Sequence, residues 1–119
     1  MPAESTRSKQ SKITVDDLAE IVARVTDASY SINESRKIPR ELVDSMTSQG
    51  LFRLLVPRSV GGNEIDLPDY LAITQAISSA DGSTGWCFNQ NNVLGTMASL
   101  MSASLAKEIW ANPDTILSN

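Results

Sequence analysis

Histidine is absent from all 119 residues. That removes the commonest general base near neutral pH and the commonest zinc ligand. Cysteine occurs once, as Cys87, so no intramolecular disulfide can form. One thiol without any imidazole is also a poor basis for a transition-metal site. Aromatic residues make up only 5% of the chain, so Leu, Ile, Val, Met and Ala must supply most of any core. No apolar run approaches the ~18 residues that suggest a membrane span. Basic residues are scarce and form no stripe, and the net charge of −4 argues against nucleic-acid binding. The opening MPAESTRSKQSK lacks the apolar centre of a secretory signal, which makes a reducing cytoplasm the default expectation.

What remains has the make-up of one small globular domain, with 41% apolar and 20% charged residues. Residues 1–12 set Arg7, Lys9 and Lys12 against Glu4, a local charge of +2 with almost nothing to bury. Such a segment reads as a disordered tail, and residues 13–119 as a helical domain carrying −6.

Periodicity and capping predict an all-α fold of about five helices. Thr14, followed by Asp17, is a variant of the capping box, and Leu18, Ile21, Val22, Val25 and Ile32 recur at helical spacing. Pro39 ends that helix by Lys37 and opens a second, whose apolar residues are Leu42, Val43 and Met46. Gly50 suits a left-handed C′ position, with Leu51 and Phe52 as the apolar contact that follows. LLVP then reads as buried extended chain, and Gly61-Gly62 as a turn. Asp66 is the expected N-cap of a third helix carrying Tyr70, Ile73, Thr74 and Ile77 on one face. Asp81-Gly82 breaks it, and Ser83 is the expected cap of a fourth running from about Thr84 into Val93–Met101. A fifth follows a break near Ser102–Ser104, with Leu105, Ile109 and Trp110 expected on its buried side. The closing TILSN has the composition to begin a strand.

The stretch DGSTGWCFNQNN sets two large rings beside four amides. One reading makes Trp86, Phe88, Asn89 and Asn92 a pocket wall for a planar aromatic or polycyclic substrate, held by stacking and oriented by amides. The other makes Trp86 and Phe88 ordinary core anchors, with the amides facing solvent. Cys87 has no histidine to activate it and is expected as a buried thiol. Asp66 and Asp81 sit at helix boundaries, where capping accounts for them. No catalytic or metal-binding residue is assigned.

IPRELVDSMTSQGLFRLLVPRSVGGNEIDLPDYLAITQAISSADGSTGW resembles the N-terminal helical domain of the acyl-CoA dehydrogenase superfamily. Four features in order carry the likeness: a Pro-started helix ending in Gly-Leu-Phe, the Val-Pro-Arg connector, the Gly-Gly turn and the Asp-Gly-Ser-Thr-Gly-Trp junction. The Gly-Trp junction and SLAKEIWANPDTILSN are closer to the flavin-dependent monooxygenase branch, which includes desulfurisation enzymes and aromatic or steroid hydroxylases. The resemblance implies a larger architecture, with a β-domain and a C-terminal helical bundle enclosing FAD or reduced flavin (FMNH2 or FADH2). It also implies a separate flavin reductase, a homo-oligomer and a small aromatic or polycyclic substrate. A true acyl-CoA dehydrogenase with an acyl-CoA substrate, or a non-catalytic helical interaction module, is the alternative. Some hydroxylases of the branch carry a histidine after the Gly-Trp helix, and this chain has none.

Overall fold

A computed structural model of the chain describes residues 13–117. Among them are five α-helices and no strand: α1 (Ala19–Ser35), α2 (Arg40–Ser48), α3 (Leu67–Ala80), α4 (Gly82–Gly95) and α5 (Ala103–Trp110). Short 3-10 turns lead into α1 (Asp16–Leu18), interrupt the α2–α3 connector (Arg58–Val60) and extend α4 (Thr96–Leu100). No helix among the described residues is long and apolar enough to cross a membrane. The segment 1–12, expected as a disordered tail, lies outside the described residues.

Local chemistry accounts for most helix ends. The Asp17 carboxylate accepts hydrogen bonds from the Thr14 N–H (2.9 Å) and hydroxyl (3.1 Å), the return half of a capping box. At the end of α2, Gly50 takes φ 74°, the Leu51 N–H bonds to the Met46 carbonyl (3.0 Å), and the Gly50 N–H bonds to Thr47 (3.0 Å). That pair of bonds is the Schellman ending, which needs a residue free to adopt the left-handed region. Asp66 stands at the N-cap of α3, yet its side chain makes no capping bond. α4 departs from expectation at both ends. Its cap is Asp81, not Ser83, and the helix starts at Gly82 and gives way to a 3-10 turn at Thr96.

The LLVP connector is buried as expected, but it is a series of turns where extended chain was expected. The Arg53 N–H reaches the Gly50 carbonyl (3.1 Å) and the Val56 N–H reaches Arg53 (3.3 Å). The returning segment then satisfies the inner carbonyls: Asn63 N–H to Arg53 (2.9 Å), Ile65 N–H to Leu54 (2.9 Å) and Glu64 N–H to Val56 (3.1 Å). Buried backbone is thereby paired without a strand ladder.

One core joins Leu18, Ile21, Val25 and Ile32 to the inner faces of α2, α3 and α4 and to the connector. A smaller cluster packs Val56, Ala98, Ala106 and Trp110. α5 presents Ala106 and Trp110 to it, while Leu105 is exposed and Ile109 half-buried. Leu105 lies one residue, about 100° of helix rotation, off the Ala106–Trp110 stripe, and an eight-residue helix has room for little more than that stripe. Thr115–Leu117, expected to begin a strand, are coil among the described residues.

Candidate functional site

α4 starts tightly tethered. Asp81 Oδ2 accepts from the Thr84 N–H (2.8 Å), the Thr84 hydroxyl (2.7 Å) and the Ser83 hydroxyl (2.7 Å). Burial pushes this carboxyl up, but the bonds from Thr84 and Ser83 outweigh it and hold the group below its ordinary value. One turn on, Gly85 lies against α3 so closely that a Cβ there would sit 2.1 Å from Ser78 Oγ and 2.7 Å from Ser78 Cα. The approach that Gly85 permits is therefore helix to helix.

These contacts fix the rotation of α4 and separate the four predicted site residues. Phe88 is fully buried, stacked on Tyr70 with ring centres 5.9 Å apart. Asn92 is fully buried too, and both ends of its amide are bonded internally. Its Oδ1 accepts from the Leu54 N–H (2.9 Å), and its Nδ2 donates to the Leu51 (2.9 Å) and Phe88 (3.0 Å) carbonyls. Asn89 is half-buried and accepts from the Tyr70 hydroxyl at 2.6 Å. Only Trp86, 66% exposed, presents its ring outward. At 3.6 residues per turn, i+2 and i+6 fall about 200° and 240° around the helix from i, so Phe88 and Asn92 turn inward when Trp86 turns out. The i+4 position, Gln90, is about 40° away and shares its face.

The outward face bears a groove of about 330 Å³ lined by Trp86, Cys87, Gln90 and Asn91, with Ile38, Val43, Phe52, Ile116 and Leu117 opposite. Cys87, expected as a buried thiol, is exposed, because no described element covers this side of α4. Asn91 pins the last described segment at the groove edge, its Nδ2 donating to the Leu117 carbonyl. A second cleft of about 580 Å³ shares Ile38, Val43 and Cys87 with this groove and continues to Arg36 and Lys37. Gln90 and Asn91 line this groove although the sequence pattern alone does not set them apart from Asn89 and Asn92. Once Trp86 and Cys87 are placed outward, the i, i+4 pairs Trp86–Gln90 and Cys87–Asn91 are the signal.

Arg53 was also not singled out. Its guanidinium is buried and donates through Nη2 to the Trp110 carbonyl (2.9 Å) and to that of Asn112, at the end of α5. Burial draws its pKa down, opposed by nearby Asp114. Arg58, by contrast, is exposed, and its backbone N–H donates to Glu64 Oε1 (3.0 Å).

Residues 8–110 match the family described as acyl-CoA dehydrogenase, N-terminal domain. The chain is similar to indole-3-acetate monooxygenase of Pseudomonas putida, 31% identical over 71% of this chain and 22% of that protein. It is 27% identical to the flavin-dependent monooxygenase oxygenase subunit HsaA of Mycobacterium tuberculosis, over 95% of this chain and 28% of that one. It is 26% identical to the oxygenase component of p-hydroxyphenylacetate 3-hydroxylase of Acinetobacter baumannii, over 88% of this chain and 25% of the relative. The chain thus spans about a quarter of the length of these curated relatives.

Proposed function

The chain belongs to the acyl-CoA dehydrogenase N-terminal domain family, and from that premise we propose that it is the helical part of a flavin-dependent monooxygenase acting on an aromatic or polycyclic compound. The observation that carries the reading is the exposed Trp86 over an open groove with Gln90 and Asn91 beside it. A buried-on-one-side indole offers a flat apolar surface for stacking, and the half-buried Gln90 amide one turn on offers directional hydrogen bonds, while Asn91 is buried and spent on the Leu117 carbonyl. The relatives support the reading, since indole-3-acetate and p-hydroxyphenylacetate in their names are both aryl compounds. Asn89 and Asn92 serve this face indirectly, by fixing how α4 is turned.

Reduced flavin, when bound, would supply the electrons that activate dioxygen, and an oxygenase component takes that flavin from a separate reductase. The residues present fit one side of such a ring system. A groove of about 330 Å³ is near the lower end of the ~300–1,000 Å³ that pockets enclosing a whole ligand occupy. Trp86, two-thirds exposed, leaves the groove open on its outer side, so this chain covers one face of a planar group. It is expected to contribute to a homo-oligomer and to be inactive by itself.

Two measurements test this. The purified 119-residue chain is expected not to retain flavin at one per chain, and a yellow preparation at that ratio would contradict the assignment of a partial wall. The protein made from the whole reading frame, supplied with reduced FMN or FAD, oxygen and an aromatic substrate, is expected to consume oxygen and release a hydroxylated product. Bleaching of its oxidised flavin by an acyl-CoA, with no oxygen-dependent product, would replace the proposal with an acyl-CoA dehydrogenase.

A further inference from the structure

Building on the reading of Trp86 as a substrate wall, we infer that the adjoining cleft is the anion-binding end of the same site, and that its ligand is an apolar or aromatic carboxylate. The cleft, about 580 Å³, lies where the end of α1, the start of α2 and the first turns of α4 meet. Ile32, Ile38 and Val43 form its apolar surface, Arg36 and Lys37 supply two positive charges, and no carboxylate lines it. Neither cation is in an ion pair among the described residues, where Arg40–Asp44 is the ion pair found. Two unpaired cations at an apolar cleft are notable on a chain whose net charge is −4.

Arg36 ends α1 in the left-handed region, with φ 58° and ψ 31°, where Gly or Asn would be less strained. Arg36 lines the cleft from this position, and its planar fork of donors suits a carboxylate. The cleft and the Trp86 groove share Ile38, Val43 and Cys87 as a common wall. One small molecule can therefore place its anionic end at Arg36 and Lys37 and lay its apolar body towards Trp86. Both cations are exposed, so their contribution is modest and sensitive to salt.

The test is NMR titration of the isotope-labelled chain, at a concentration where sedimentation shows monomer, with phenylacetate and, in parallel, its neutral isostere phenylacetamide, at low ionic strength. Phenylacetate is expected to shift the Arg36, Lys37 and Cys87 amides and the Trp86 indole N–H, and to bind about three- to ten-fold more tightly than phenylacetamide. Arg36→Asn with Lys37→Gln is expected to erase that preference, whereas Lys37→Arg keeps it. Asn tolerates the left-handed backbone, and an unmoved Trp110 indole signal reports an intact fold. Equal affinity for the two probes, or a preference that survives the double substitution, would overturn the inference. If both probes still shift Trp86 in that case, the substrate-wall reading stands; if neither shifts it, both fall. Displacement of phenylacetate by inorganic phosphate at lower concentration would overturn the carboxylate assignment in favour of a phosphate.

Discussion

Removing the Asn92 side chain leaves the Leu54 N–H and the Leu51 carbonyl buried without partners. Each such orphan costs about 1–3 kcal/mol, so Asn92→Ala is expected to destabilise the fold by about 2–4 kcal/mol in urea denaturation. Asn89→Ala breaks one bond at a half-buried site and is expected to cost about 1 kcal/mol or less. The Asp81 cap carries a pH dependence. Its folded pKa lies below the ordinary 3.8, so its stabilisation is present above 3.8 and is lost as pH falls through the lowered value. Asp81→Asn is expected to flatten this acid limb and to reduce stability at neutral pH, both read by thermal melts across a pH series.

α4 is positioned by its neighbours more than by its own hydrophobic pattern. Gly85→Ala drives a methyl into the backbone of Ser78, and parting α3 from α4 is expected to cost about 1–3 kcal/mol. Gly82→Ala meets nothing within 4 Å at the first position of α4, and is expected to leave stability unchanged or raise it by up to ~1 kcal/mol. Parallel denaturation of the two variants separates close approach from mere chain flexibility. α5 depends on a different device, a single buried nitrogen of Arg53, Nη2, that donates to both the Trp110 and the Asn112 carbonyls. Arg53→Met keeps the side-chain bulk but removes both bonds to these carbonyls, and is expected to speed hydrogen exchange at Thr115, whose N–H bonds to the Asn112 carbonyl (3.1 Å).

Across the molecule, exposed apolar residues occur on several elements, Leu67 and Leu71 on α3 and Leu105 on α5 among them, and one group is aligned. Trp86, Val93, Met97 and Leu100 follow one another along α4 and its 3-10 extension, all exposed. A continuous stripe of this kind promotes association. The purified chain is expected to sediment as a mixture of monomer and larger species at tens of micromolar, and Met97→Lys with Leu100→Lys to shift it towards monomer. A concentration-independent monomer in the unsubstituted chain would count against the stripe as a contact surface.

The helices themselves were readable because their causes are local. Pro39 at the start of α2, Gly50 in its Schellman ending, and the Leu18–Ile32 stripe act through residues within a few positions of one another. The order of those signals also carried the family likeness. What local pattern could not supply was the rotation of α4. Phe88 and Trp86 are both large and apolar, and Asn89 and Asn92 are chemically identical, so composition cannot say which faces inward. That choice belongs to partners distant in the chain: the Ser78 backbone against Gly85, the Tyr70 ring on Phe88, and the Leu51 and Leu54 backbone groups that bond to Asn92. An amide is buried where unpaired backbone groups await it, and only the assembled connector brings those groups to Asn92. The same packing leaves Trp86 outside, joined to the cleft of Arg36 and Lys37 by a wall that no single segment of the sequence contains.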